Sequence, residues 1–491
     1  MQLIVNHGHE FAQAPFGKQD GRMTYFKTII MRNYLRSLLV ALLAVTGSLP
    51  VAAQEAYAVL TSDSTLTFYY DNQRATHQNY ERIYDMPKPG EPPAWAGNYN
   101  ELQTKIKHAV FDTSFSRFRP TSTRSWFSYC ISLQDIKGIR NLNTENVTNM
   151  GDMFYSCWAL ILIDVSNFNT QKVTDMSYMF SGCEALTSLD VSNFNTQNVT
   201  NIIGMFSSCE TLTSLDLSKF NTQNVTEMSI MFYGCKALTS LDLSNFNTQN
   251  VNNMAWMFSG CEALTSLDVS KFNTKKVTDM SKMFNDCKAL TSLNLSNFNT
   301  QNVYYMNGMF EGCEALKSLN LSNFNTEKVN GMNGMFSGCK ALTSLDLSNF
   351  NTKNATYMWS MFQNCQALTS LDVSNFNTQN VNNMNWMFEN CTSLITIFCN
   401  SNWKVGYKVG DDMFKNCTQL KGTNTAFDAN KTGIEMANPT TGYFTSKTTG
   451  IDHVKTADRA GDGKAYDLSG RRVNESYKGI VIKNGKKYIQ K

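Results

Sequence analysis

Cysteine returns every 26 residues, at Cys157, Cys183, Cys209, Cys235, Cys261, Cys287, Cys313, Cys339, Cys365, Cys391 and Cys417, without a slip. A chain held to one period of this length folds as stacked copies of one supersecondary unit. Each unit is too small to bury its own apolar face, so stability comes from stacking, and each copy contacts only its neighbours. Such an array has no single catalytic core. It offers a long surface on which other molecules dock, so the first expectation is a binding protein.

One copy, residues 179–204, reads MFSGCEALTSLDVSNFNTQNVTNIIG. Leu186, Leu189 and Val191 give the spacing L-x-x-L-x-L, and the period lies within the about 20 to 29 residues of leucine-rich repeats. Phe194, Val199, Ile202, Met205, Phe206 and Cys209 complete an apolar interior. The pattern predicts a repeat solenoid of leucine-rich-repeat type: short parallel strands through Leu189 and Val191 stacked into one sheet, in about ten right-handed coils. At about 4.8 Å per paired strand the rod is on the order of 50 Å long, with Cys183 and Cys209 on adjacent coils.

Polar columns repeat as strictly. Asn195 and Thr196 recur as Asn221 and Thr222 and onward to Asn377 and Thr378, which predicts amides stacked from coil to coil to satisfy buried turns. Asp190, Asp216, Asp242 and Asp268 form a carboxylate column, interrupted by Asn294 and Asn320. Like charges so stacked repel, and neighbouring serines such as Ser188 and Ser192 supply hydrogen bonds. Nothing resembles a calcium loop, so no metal or other cofactor is expected. No C-x-x-C occurs, and 26-residue gaps match no zinc knuckle. The cysteines read as unpaired core residues.

The ends differ in texture. Residues 1–30 look like an over-extended gene start. Residues 31–53, MRNYLRSLLVALLAVTGSLPVAA, have a basic start, an apolar run and small residues before Gln54, which is the pattern of a signal peptide. The run is too short for a membrane span. Residues 54–125 read as an amino-terminal cap, with a strand over Leu66–Asp71, a turn or linker over Pro87–Pro93, and packing at Ala109–Phe111. The solenoid then covers 126–420, opening on a degraded copy with Trp126, Phe127 and Cys130. A carboxy-terminal cap over 421–446, a linker over 447–463 and a short β tail over 464–491 follow. The tail holds two or three strands and a hairpin signal at Asn484-Gly485.

A formal net charge of +3, with both signs spread along the chain, leaves no basic face for nucleic acid. No histidine lies between Ala109 and Asp452, which excludes a Ser-His-Asp or Cys-His site in the repeats. Paired aspartates remain a distant hydrolase reading, but the column is uniform and makes no two of them different. The chain therefore reads as non-enzymatic.

The repeat MFSGCEALTSLDVSNFNTQNVT resembles that of the BspA-like leucine-rich-repeat surface proteins, in the version also found in mycoplasma surface lipoproteins. The resemblance covers residues 126–420 and implies a secreted or cell-surface, outer-membrane-associated bacterial protein. It also implies adhesion to extracellular matrix or host cell-surface proteins and to other bacterial cells. The tail segment from Asp467 through Val473, with Lys478-Gly479-Ile480, is similar to the type IX sorting domains of Bacteroidetes proteins, though shorter.

Positions that change between copies carry specificity in an array. The stretch between valine and the M-F pair changes most and bears Tyr178, Trp256, Tyr304, Tyr305, Tyr357, Trp359 and Trp386. Tyrosine and tryptophan are common interface anchors. A non-enzymatic adhesin binding through Tyr305, Tyr357, Trp359 and Trp386, with Trp256 and Tyr304 beside them, is the expectation. The alternatives are a glycan-binding module stacking sugars on the same rings, and rings that merely cover the core edge.

Overall fold

A computed structural model describes residues 30–36, 53–403, 410–447, 464–466, 472–474, 476–483 and 486–490. Most of the expected signal peptide and of the 447–463 linker lies outside them. The chain forms two compact units, Met1–Glu55 with Asp71–Gln73, and Ala56–Tyr70 with Arg74–Lys491. In the first, residues 30–36 are helical and exposed. Everything below concerns the second.

The amino-terminal cap is a sheet of β1 (Glu55–Thr61), β2 (Thr65–Asp71), β3 (Tyr80–Asp85) and β4 (His108–Phe111), continued by β5 (Asp135–Lys137) in the order β3-β1-β2-β4-β5. The alternation in TLTFYYD buries Leu66 and Phe68, and Phe68 stacks on Phe111 and Trp126. Because β4 and β5 pair in parallel, the cap hands its sheet directly to the first coil and covers its open end.

From there the chain stacks on itself. Parallel bridges run Ser122↔Asn149, Asn149↔Asp175, Asp175↔Asn201 and onward to Tyr357↔Asn383, so the period of the sequence is the period of the stack. The dense pairing is not where the leucine pattern predicts it. Regular strands on the L-x-x-L-x-L column occur at the ends, as β5 and as β6 (Ser370–Asp372), β7 (Thr396–Phe398) and β8 (Phe444–Thr445). In the middle that segment is extended, but coil-to-coil backbone bonds are sparse, as with Ala263 N to Lys236 O at 3.1 Å.

The continuous ladder lies instead in the M-F segment. Met176, Tyr178, Phe180 and Gly182 donate their amides to Asn201, Ile203, Met205 and Ser207 of the next coil at 2.7–3.0 Å. The intervening amides of Met179, Ser181 and Cys183 close tight turns onto Met176, Tyr178 and Phe180 at 3.1–3.3 Å. Alternate amides thus serve the turn and the stack. This geometry puts every fourth residue in the left-handed region: Tyr178 and Gly182 at φ 54° and 74°, Trp256 and Gly260 at 60° and 75°.

Inside, one phenylalanine per coil forms a spine. Phe232, Phe258 and Phe284 are parallel within 7° at centroid spacings of 5.7 and 5.8 Å. Methionines, a cysteine, the leucine column, a valine and a second phenylalanine of each coil, such as Val199, Met205, Cys209, Leu212 and Phe220, fill the rest. All thirteen cysteines are buried and unpaired. The ladder thiols donate to a phenylalanine carbonyl of the preceding coil, as Cys261 Sγ does to Phe232 O at 3.2 Å. Burial raises the pKa of the thiols from Cys157 to Cys391, that of Cys235 to about 12.

The asparagine–threonine column works differently from the expected amide ladder. Asn273 caps its own turn through Oδ1 to Lys275 N. The coil-to-coil link is made by buried threonine: Thr248 Oγ1 accepts from Asn273 N at 2.7 Å and donates to Asn273 O at 3.0 Å. A hydroxyl can do both at once, which an amide nitrogen or oxygen alone cannot. Thr248→Val keeps the volume and strands both groups, so urea denaturation is expected to show a loss of about 1–3 kcal/mol. An unchanged midpoint would assign the column to shape alone.

The tail forms its own antiparallel sheet, with β9 (Ala465–Tyr466), β10 (Arg472–Val473), β11 (Gly479–Lys483) and β12 (Lys486–Gln490) in the order β10-β9-β11-β12. That is four strands rather than two or three. Lys483 pairs with Lys486, on either side of Asn484-Gly485, which lies outside the described residues. Among the described residues no helix is long and apolar enough to cross a membrane.

Candidate functional site

Residues 175–184 and their equivalents in the other coils combine the stacking ladder with the sequence variation. The residue in the bridging column usually caps the turn with its side chain: Asn149, Asp175, Asn201, Asn253, Asp279 and Asn383 accept from the amide two residues on at 2.8–3.1 Å. Asparagine and aspartate favour this local bond. Three successive coils abandon it, with Tyr305, Gly331 and Tyr357 in the column. Each departure gives up a hydrogen bond with a net value of about 1 kcal/mol. Beside them the Asn307 side chain lies over Gly331, where an added Cβ would meet its Oδ1 at 2.2 Å. That oxygen is buried without a partner.

The predicted residues divide into two groups. Tyr304, Tyr305 and Tyr357 are nearly half exposed, and Trp359 and Trp386 expose 37% and 39% of their surface. Among the described residues none of these five rings stacks on another aromatic ring, so they are not an extension of the phenylalanine spine. Trp256 belongs elsewhere: it meets Tyr233 edge-on at 5.9 Å and carries Lys282 Nζ 4.6 Å over its ring.

Trp256 is one wall of an open cleft of about 490 Å³ in the amino-terminal half, whose lining includes Tyr155, Trp158, Tyr178, Ile230 and Tyr233. The sequence reading passed over Tyr155, Trp158 and Tyr233. Tyr155 and Tyr233 share the position after M-F, occupied in the coils between them by Ser181 and Ser207. Variation on both sides of the M-F pair was the available signal. Tyr178, Ile230 and Trp256 all stand in the left-handed column, at φ 54°, 52° and 60°, where other coils place Gly204, Gly308 and Gly334. For a β-branched residue such as Ile230 this is a genuine outlier, costing about 1–2 kcal/mol. Tyr178 is accommodated because Gly204 lies beneath its ring; a Cβ there would approach Cδ1 to 2.6 Å.

The aspartate column is structural. Asp190, Asp216, Asp242 and Asp268 accept from Ser192, Ser218, Ser244 and Ser270 amides at 2.9 Å, and these hydrogen bonds lower their pKa values. Asn294 and Asn320 make the same bond, which explains why they interrupt the column without consequence. Among the described residues no three histidine, cysteine or carboxylate side chains are grouped to hold a metal ion. His108 Nδ1 lies 2.7 Å from Asp135 Oδ2. Among the described residues no hydroxyl or thiol is hydrogen-bonded to that imidazole.

The fold defines a stacked-repeat array with a variable turn face. The family model described as "Mycoplasma protein of unknown function, DUF285" matches residues 121–240, 204–319 and 306–427. These matches span more than half of the chain, and the chain belongs to that family. None of the curated proteins matches it. Among solved structures, a leucine-rich repeat protein from Bacteroides ovatus is 19% identical at a TM-score of 0.40, covering 75% of this chain and 92% of that one. A leucine rich cell surface protein from Faecalibacterium prausnitzii is 18% identical at a TM-score of 0.30, covering 70% and 92%. A leucine-rich repeat protein from Eubacterium ventriosum is 18% identical at 0.32, covering 70% and 91%.

Proposed function

We propose that this protein is a non-enzymatic adhesin, exported to the cell surface or secreted, that binds an extracellular host protein through Tyr305, Tyr357, Trp359 and Trp386, with Tyr304 at the edge. One observation carries the reading. Three successive coils give up the turn-capping side chain that most other coils keep, and two of them present a half-exposed tyrosine in its place. A scaffold has no use for that exchange, whereas rigid amphipathic rings are what an interface uses as anchors. Export rests on the pattern ending at Ala53 and on the tail's likeness to type IX sorting domains. Amino-terminal sequencing of the native protein should find Gln54 first.

The test replaces all four rings by alanine and measures binding to immobilised fibronectin, fibrinogen, collagen and laminin, beside a glycan array. Their apolar columns untouched, the coils should stay folded by circular dichroism. Affinity for the protein ligand should fall at least thirtyfold, about 2 kcal/mol, the usual loss for an anchor. A folded variant that binds as tightly as the parent removes the patch. One that unfolds assigns the rings to the scaffold.

A further inference from the structure

We propose that the cleft between Tyr155 and Trp256 binds a neutral oligosaccharide, at a site separate from the protein-binding patch. Two independent observations meet there. The walls are aromatic: Tyr155 meets Tyr178 edge-on at 5.9 Å at one end, and Tyr233 meets Trp256 at 5.9 Å at the other. Trp158 and Tyr233 are exposed at 40% and 38%. Tyr155 and Tyr233 are three coils apart, on the order of 15 Å along the stack, room for several sugar rings.

The floor is polar. Ser181 and Ser207 line the cleft and are each 6% exposed. Among the described residues neither hydroxyl is hydrogen-bonded to another protein group, and neither is among the buried side-chain oxygens without a partner, so both stay open to the cleft. The equivalent Ser259 is closed off, donating to Asn285 Oδ1 at 3.0 Å. Two adjacent open hydroxyls beneath aromatic walls match a ligand that is itself rich in hydroxyls.

The chemistry of the lining selects the ligand. Glu184 is the one charged side chain among the lining residues; it accepts hydrogen bonds from sugar hydroxyls, and as an anion in the lining it disfavours phosphate, sulfate or sialic acid, while the neighbouring Lys282 is engaged over the Trp256 ring. An extended peptide is disfavoured for a different reason. It needs free backbone groups at a strand edge, and here they are engaged: Tyr178 N with Ile203 O, Gly182 N with Ser207 O, and Ser208 N with Tyr233 O, at 2.5–2.7 Å. A sugar needs only faces to stack on and side chains to bond.

The experiment titrates the full chain with neutral tetrasaccharides of glucose, galactose, mannose and N-acetylglucosamine, with sialylated counterparts and a library of extended peptides as comparators. Calorimetry and the fluorescence of Trp158 and Trp256 report binding. At least one neutral glycan is expected to saturate the site, with affinity reduced roughly tenfold or more in Trp158→Ala and in Tyr233→Ala. Ser207→Gln should abolish it with the fold intact, since Gln363 occupies that same position in another coil and its length fills the floor. The variant lacking Tyr305, Tyr357, Trp359 and Trp386 should bind the glycan unchanged, so each site fails separately. The inference is overturned if no neutral glycan binds the parent, if binding survives loss of both Trp158 and Tyr233, or if peptides take the cleft instead.

Discussion

Between pH 9 and 10 the folded array is expected to lose several kcal/mol of stability, through its buried thiols. Desolvation holds Cys130, Cys183, Cys235, Cys313 and Cys365 at about 12, and it raises Cys157, Cys209, Cys261, Cys287 and Cys339 in the same direction. In the unfolded chain a thiol titrates near about 8.5. Above that pH the unfolded chain gives up protons that the folded chain keeps. It then binds fewer protons than the folded chain, and stability falls as pH rises, by about 1.4 kcal/mol per unit for each thiol. Five such thiols in one cooperatively unfolding segment sum to roughly 7 kcal/mol per unit, which rivals the whole stability of a typical domain.

The contribution is complete below the unfolded value and disappears as pH climbs toward the folded one. Urea midpoints under reducing conditions should therefore hold level up to about pH 8 and drop steeply from pH 9. Thiol reagents at pH 8 should find no reactive cysteine until denaturant is added, since the thiolate is the reactive form. Midpoints that stay level through pH 10.5, or rapid alkylation of the native protein, would show that the column is hydrated. Replacing Cys235 by alanine should make the pH dependence shallower by one thiol's share.

How much of this was legible in the residues depends on what each column does. The period set by Cys157 through Cys417 dictated the stack, because only one register puts every apolar column on itself. The apolar assignments of Leu189, Phe194, Val199 and Phe206 followed from it, and all four are buried. The place of the ladder did not follow. Leu189 and Val191 alternate as a strand does, but alternation reports burial of one face and says nothing about whether neighbouring amides come within bonding range. Tight turns with alternating left-handed residues carry no hydrophobic period of their own, so nothing in the pattern of the M-F segment marks it as the ladder.

The proposed binding surface was legible in half. Tyr305 and Tyr357 stood out as aromatics in a variable stretch, and their departure from a capping column became visible only once Asp175 and Asn201 were seen to cap. The cleft was invisible for a topological reason. Tyr155 and Tyr233 are 78 positions apart in the chain, and the open hydroxyls of Ser181 and Ser207 look, in sequence, like any other serines of a polar loop.

The second large effect is expected at the centre of the phenylalanine spine. Phe258 is fully buried and parallel to both neighbours, Phe232 and Phe284. Phe258→Ala removes a stacked ring from each side and opens a cavity that the rigid turns on either side cannot collapse into. The cost is about 3–5 kcal/mol. In a globular core that loss lowers one midpoint. In an array whose coils touch only their neighbours it weakens one interface, and the units on either side keep their own contacts. Phe258→Ala should therefore split the denaturation curve, with hydrogen exchange showing lost protection first in residues 252–303 while the amino-terminal coils stay protected. Phe258→Leu, which keeps most of the apolar volume, should lower stability by less and leave the transition single. If the alanine variant unfolds in one step at a lower midpoint throughout, the coils are coupled over a longer range than nearest-neighbour stacking allows, and the spine itself, continuous from Phe127 to Phe414, is the element that couples them.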